Sequence, residues 1–167
     1  PKNLSVEEIL IRSSNVGSVI LAQKIGVKNY KEFIKKTNLT KNPSIELEEV
    51  GIPHQLKWNR CKLETISYGH GITTTPLQAT TLYAAMSNGG KLIVPSLIKD
   101  RKIKKTQKII SHETSNKLSN ILRKVVSSKE GTASLADKAG YYVGGKTGTA
   151  ESYGDNKNRI NTFISIF

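Results

Sequence analysis

Two short runs in this 167-residue chain carry side chains that could do chemistry together. Lys146-Thr147-Gly148-Thr149-Ala150 reads as an edge-facing strand. A Lys and two hydroxyls alternating along it are expected to point to one side, where they can grip a carboxylate. The intervening Gly148 lets another chain lie close to the backbone. Alone, Lys-Thr-Gly is weak, because a glycine-containing hairpin strand with an exposed Lys reads the same way. Ser13-Ser14-Asn15 is set in an otherwise apolar helical stretch, and alone it reads first as a cap at a helix junction. A third pattern, Gly140 to Thr147, fits the phosphate-binding form G-x-x-x-x-G-K-[ST]. That chemistry needs an apolar strand before Gly140 and a helix starting at Lys146. Leu135-Ala136-Asp137-Lys138-Ala139 is short and charged, Tyr141-Tyr142-Val143 is strand material, and the match reads as accidental.

The elements that must position these residues follow from capping signals and periodicity. Ser5-Val6-Glu7-Glu8 has the form of a capping box. Ile9, Leu10, Val16, Val19, Ile20 and Ile25 continue an apolar stripe to Gly26, broken by the Ser13 trio, so two helices are expected with the trio at their junction. Asn29 to Lys36 reads as a further short helix. Residues 37–62 form a long excursion without periodicity, with Pro43 and Pro53. Tyr68-Gly69-His70-Gly71 reads as a strand and turn, with His70 a structural turn residue.

Thr75-Pro76 opens a helix carrying Ala79, Leu82, Tyr83 and Met86, and Gly89-Gly90 ends it. Lys91 to Lys99 and Gln107 to Ile110 look extended. Ser111 opens a helix with Leu118, Ile121, Leu122, Val125 and Val126 on one face, ending before Gly131. Tyr141 to Thr149 and Ile160 to Phe167 read as paired strands joined by the polar turn Tyr153 to Arg159. Helices first and paired strands last give an α+β class with an antiparallel sheet.

Composition narrows the partners. Against 13 acidic residues stand 26 Lys and Arg, for a formal net charge of +13. Such a surface could favour nucleic acid, anionic lipid or an acidic polymer. The Lys residues are scattered, however, with Lys99 to Lys108 the densest run. Aromatics are only 6%, too few for base-stacking platforms, so a solvated Lys-rich surface is the reading and no nucleic acid is expected. The single Cys61 excludes an intrachain disulfide framework. His54, Cys61, His70 and His112 lack zinc-ligand spacing, so no metal is expected.

Ser-x-Asn followed 133 residues later by Lys-Thr-Gly forms two of the three signatures of the penicillin-recognising serine acyltransferases. Longer runs extend the likeness. They are Ile11 to Gly17, Ile45 to Gly51, Ser67-Tyr68-Gly69-His70-Gly71 followed by Thr75-Pro76-Leu77-Gln78, and Gly131-Thr132-Ala133 leading to Val143 through Glu151. In this order the chain resembles the transpeptidase domain of a class B penicillin-binding protein, closest to the septal, FtsI-like type. The resemblance covers nearly all of residues 1–167.

The resemblance implies a peptidoglycan D,D-transpeptidase, without cofactor, at the periplasmic face of the bacterial inner membrane. It implies stem peptides as substrates, β-lactams as mimics of their D-Ala-D-Ala end, and other division proteins as partners. By that likeness Ser13 relays a proton to the departing or attacking nitrogen, and Asn15 hydrogen-bonds the substrate amide. Lys146 supplies positive potential, while Thr147, Gly148 and Thr149 hold the substrate carboxylate, with the Thr149 N–H in the oxyanion hole.

The third signature, Ser-x-x-Lys, carries the acyl-accepting serine and lies upstream of Ser-x-Asn in the family. Pro1 to Arg12 contains none. The one Ser-x-x-Lys of this sequence, Ser96-Leu97-Ile98-Lys99, comes in the wrong order and on an expected strand, where residues i and i+3 face opposite sides. The expectation is therefore a partial domain, truncated at both ends, with no nucleophile in this chain and no activity of its own. A non-catalytic penicillin- or peptidoglycan-binding fragment is the alternative, ahead of a phosphate-loop NTPase.

Overall fold

Four of the helices begin at a serine or threonine whose side chain caps them. The computed structural model describes residues 3–100, 106–151 and 159–167. Helix α1, Val6–Ile11, opens at Ser5, whose hydroxyl accepts the Glu8 N–H at 3.2 Å while the Glu8 carboxylate accepts the Ser5 N–H at 2.8 Å. Helix α2, Asn15–Ile25, is capped by the Ser14 hydroxyl, which accepts from Gly17 N–H at 3.1 Å. Gly26, at φ 80°, ends α2 and turns the chain directly into α3, Val27–Thr37. The two-helix reading with a polar junction therefore holds.

Residues 38–61 contain no helix or strand, as the excursion reading requires. They lead into a helix the sequence did not disclose, α4, Lys62–Ser67. It is six residues long and packs only Leu63 and Ile66 inward, against α2, too short a stripe to show a period. The strand expected around Tyr68 is absent, because Tyr68 closes α4 and Gly69 (φ 87°) and Gly71 (φ 71°) turn the chain away.

Helix α5, Pro76–Ser87, starts at Thr75 in a capping box with Gln78. The extended segments that follow are shorter than expected. β1, Lys91–Leu92, pairs antiparallel with β2, Gln107–Lys108. Beyond Leu92 the chain reaches Pro95, which has no N–H, and Glu46 accepts from both the Ser96 hydroxyl (2.8 Å) and the Leu97 N–H (3.1 Å) in place of a ladder. The cationic run at residues 101–105 lies outside the described residues.

Helix α6, His112–Ser127, is the centre of the packing. Val125 and Val126 are 0% and 1% exposed, and with Ile11 and Ala133 they form the core, with Ile121 and Ala136 packed against it. After α6 come a 3-10 turn, Ser134–Ala136, and then β3, Gly144–Glu151, paired antiparallel with β4, Arg159–Ile166. β3 starts three residues later than expected. Tyr141 N–H is held by Lys138 carbonyl, and Tyr142 lies under the Arg123 guanidinium at 5.4 Å. The turn read at 153–159 lies outside the described residues except for Arg159, which opens β4.

Close backbone approach fixes the loop after α6. A Cβ built on Gly131 would lie 2.1 Å from the Val125 carbonyl oxygen. Gly131→Ala is therefore expected to destabilise the fold by about 1–3 kcal/mol, measured by denaturant unfolding. Wild-type stability in that variant would show that the loop can move off the helix at no cost.

Candidate active-site groove

An open groove of about 710 Å³ runs along β3, within the size range of small-ligand sites. Its walls come from four places in the chain. The α1–α2 junction gives Ser13 and Asn15, and the α4–α5 connection gives Tyr68, Gly69 and His70. The loop after α6 gives Thr132, and the β3–β4 ribbon gives Lys146, Thr147, Gly148, Thr149, Glu151, Asn161 and Thr162. All six residues assigned from the resemblance, Ser13, Asn15, Lys146, Thr147, Gly148 and Thr149, thus share one groove.

The three residues of the junction divide the work. Ser14 caps α2, Asn15 is the exposed first residue of that helix, and Ser13 sits at φ 53°. The left-handed region disfavours a residue with a Cβ, so Ser13 is held there by its surroundings. Its N–H reaches Leu10 carbonyl at 3.3 Å and the next N–H, Ser14, reaches Ile9 carbonyl at 2.9 Å. On α2, a Cβ on Gly17 would fall 2.6 Å from the Ile9 side chain, so glycine lets the two helices meet closely behind the junction.

The Lys146 ammonium donates to the Ser13 hydroxyl, and to the Thr147 carbonyl at 3.0 Å. Among the described residues these partners are neutral. Burial holds the Lys146 amine below the ordinary lysine value of 10.5. Thr147 Oγ1 donates to Thr132 Oγ1 at 2.8 Å, and Thr132 Oγ1 lies 3.4 Å from Ser13 Oγ. Lys146, Ser13, Thr132 and Thr147 are therefore one connected set. The sequence reading carried Gly131-Thr132-Ala133 as a run of the resemblance and gave Thr132 no role.

The expectation that Lys146 and the two Thr hydroxyls point to one side needs correcting. Alternation puts 146 on the opposite face from 147 and 149. A Cβ on Gly144 would meet the α6 backbone (3.0 Å from Arg123 N), whereas one on Gly145 would meet Phe163 at 2.6 Å. Lys146 thus projects with Gly144 toward the helices and Ser13. Thr147 is on the other face and reaches the groove through Thr132 at the strand's edge. Gly148 also differs from expectation, because the space over it is taken from within. A Cβ there would lie 2.7 Å from Thr162 Oγ1.

The alternative chemistries separate cleanly. β3 runs through Lys146 to Glu151, so no helix starts at Lys146 and the phosphate-loop reading fails on geometry. Ser96 lies in a loop, bonded to Glu46, and is not among the residues lining the groove. Its reading as a strand residue is corrected, while its separation from Lys146 and Ser13 is plain.

The fold and the groove define a penicillin-recognising domain, and comparison with known proteins says which. The family described as "Penicillin binding protein transpeptidase domain" matches residues 1–167, and the chain belongs to it. A probable peptidoglycan D,D-transpeptidase FtsI of Caulobacter vibrioides is 32% identical across 98% of the chain and 30% of its own length. Stage V sporulation protein D of Bacillus subtilis is 33% identical across 96% of the chain and 27% of its own length. The chain thus spans less than a third of these relatives. A crystal structure of penicillin-binding protein 3 from Mycobacterium tuberculosis, complexed with aztreonam, superposes with a TM-score of 0.88. It is 25% identical, over 97% of this chain and 42% of that one.

The lowered Lys146 pKa has a consequence for stability. In the window between that value and 10.5 the unfolded state binds the extra proton, so the residue's contribution to stability rises with pH there. Lys146→Met keeps the aliphatic stem and removes the buried charge. Its thermal midpoint at pH 7 is expected to be no lower than wild type, with the difference narrowing toward pH 10. A drop of several degrees at pH 7 would show that the Ser13 contact outweighs the burial penalty.

Proposed function

We propose that the protein carrying this chain is a peptidoglycan D,D-transpeptidase of the septal, FtsI-like kind, and that residues 1–167 are part of its penicillin-binding domain. The observation that carries the reading is the Lys146–Ser13 hydrogen bond, made across 133 residues of sequence in a groove that also holds Asn15, Thr147 and Thr149.

In this reading a serine hydroxyl attacks the carbonyl of the penultimate D-Ala of a stem peptide. The terminal D-Ala leaves as the amine, taking a proton, and the resulting ester passes its acyl group to an amine on a neighbouring stem. Ser13 handles the proton at the departing and attacking nitrogens. Lys146 keeps Ser13 in place and supplies positive potential for the substrate carboxylate, which Thr147 and Thr149 bind. Asn15 orients the substrate amide, and the Thr149 N–H stabilises the oxyanion. A β-lactam enters as a mimic of the D-Ala-D-Ala end and remains as an ester. Tyr68 and His70 form the facing wall.

The attacking serine comes from a Ser-x-x-Lys segment outside residues 1–167, which hold no such pair at the groove. Helix α2 supports that placement. It is apolar on more than one side, with Val16 72% and Ile20 49% exposed on the helix that Asn15 opens. A helix apolar all round is normally covered. No helix of the described residues is long and apolar enough to cross a membrane. The proposed setting is the outer face of the cytoplasmic membrane, with other division proteins as partners and no nucleic acid.

Acylation by a fluorescent penicillin tests the reading on residues 1–167 and on a form extended upstream through the expected Ser-x-x-Lys. Labelling is expected of the extended form alone, and Ser13→Ala in that form should slow it by roughly 100-fold or more. Labelling of residues 1–167 alone would point to a reactive serine in this chain, with Ser96 the first suspect. A folded extended form that takes no label would overturn the assignment.

A further inference from the structure

We propose that Thr132 is a positioning residue for the Ser13 hydroxyl, turning the Ser13 proton out of its contact with Lys146 and into the groove; this rests on the transpeptidase reading above. The argument is one of hydrogen-bond accounting. A hydroxyl has one proton to give and two lone pairs to receive. Thr132 Oγ1 receives the Thr147 proton at 2.8 Å, so its own proton is free for the other oxygen in reach, Ser13 Oγ at 3.4 Å. Ser13 Oγ already accepts from the Lys146 ammonium. With Thr132 donating as well, both Ser13 lone pairs are occupied, and its proton has one direction left, the open groove. That is where a departing or attacking nitrogen must be served. A contact of 3.4 Å is long for hydroxyls, but such contacts tighten when a ligand closes the site.

A hydroxyl can act in this way only if its backbone is fixed, and Thr132 is bracketed on both sides. Before it, Gly131 lies so close to the end of α6 that a Cβ would be 2.1 Å from the Val125 carbonyl oxygen. After it, Ala133 is 6% exposed and its N–H donates to that same carbonyl at 3.2 Å. The Ser13 side is tied to the Thr132 side by an ion pair, Arg12 Nη2 to Glu130 Oε2 at 2.6 Å, one residue before Ser13 and two before Thr132. The exposed pair adds little stability, but it sets the two loops in register. Thr132 is itself exposed, so packing gives no reason for its hydroxyl to be there.

The test uses the full-length protein with Thr132→Val, Thr132→Ala and Thr132→Ser, reading the second-order rate of acylation by a fluorescent penicillin against pH, with thermal midpoints alongside. Among the described residues, the titratable groups lining the groove with Lys146 are Tyr68 and His70 from the α4–α5 connection and Glu151 further along the same strand, with the Arg12–Glu130 pair on the flanking loops. All are retained in each variant. Thr132→Val and Thr132→Ala are expected to acylate roughly tenfold more slowly, and Thr132→Ser to recover to within about threefold of wild type. The alkaline limb should move to lower pH in the Val and Ala variants, because a freed Ser13 proton can turn to a neutral Lys146 amine and favour that form. Equal rates and unmoved limbs in the Val and Ala variants would overturn the role of Thr132 while leaving the enzyme reading intact. So would a Ser variant as slow as Val. A folded wild-type protein that takes no label would overturn both.

Discussion

Everything at the groove depends on how closely backbone can approach helix α6. Three segments come to it at a distance that excludes a side chain or uses a small polar one. Gly131 lies over the Val125 carbonyl, Gly144 lies on the backbone at Arg123, and buried Ser115 donates to Met86 carbonyl at 2.7 Å while accepting from Gly89 N–H at 3.0 Å. The first contact places Thr132, the second places Lys146 two residues along β3, and the third seats the end of α5. Arg123 adds a polar tie on the same helix, donating to Val143 carbonyl and to Asp137, each at 2.8 Å, just before β3 begins. With Val125 and Val126 sealed beneath, α6 is the rigid bar from which the hydroxyls and the amine are hung. The proposed chemistry tolerates positional errors of about half an ångström, and close backbone packing of this kind is what would keep its residues within that range.

Electrostatics sets the groove apart from the rest of the surface. The chain carries a formal net charge of +13, and most of its Lys residues are solvated, so positive charge alone marks nothing. Lys146 differs by being part-buried with a hydroxyl and a carbonyl as its described partners. A part-buried structural lysine would be expected beside a carboxylate, a partner that even the exposed Lys124 has in Glu7 at 2.5 Å on the helical side. A part-buried ammonium whose described partners are neutral has unused attraction for an anion, and the penalty of its burial is relieved when an anion arrives.

Much of this was legible in the sequence, for identifiable reasons. Caps are local, so Ser5, Thr75 and Ser111 located three helix starts directly, and the Ser13-Ser14-Asn15 trio marked the junction at which Ser14 opens a fourth. The long stripe of α6 showed its period because sixteen residues sample more than four turns. The site residues were legible through two spaced signatures and the runs between them. What failed was decided by tertiary contacts. Helix α4 exists because Leu63 and Ile66 find α2, and the strand after Leu92 stops because Glu46 takes its polar groups from fifty residues upstream. The facing of Lys146 against Thr147 was misread although alternation alone could have corrected it. Thr132 could not be singled out, since an exposed Thr in a loop has no local signal until Ser13 and Thr147 are seen on either side of it.

Strain gives a useful measure of what marks a site. Among the described residues, four that are not glycine hold positive φ: Ser13, Asn38, Cys61 and Asp100. Asn38 and Asp100 are of the types that visit the left-handed region most readily, and Asn38 there ends α3. Cys61 precedes the first residue of the short α4 without capping it through its side chain, so its conformation answers to chain direction. Only Ser13 adds a second departure from local preference. Its hydroxyl is spent neither on capping α2, which Ser14 does, nor on packing, but on an amine held below its ordinary pKa. Among the described residues, backbone strain alone selects four positions and a perturbed lysine alone one. Their coincidence within a single hydrogen bond is what local folding rules do not explain, and it lies where α6 holds both partners still.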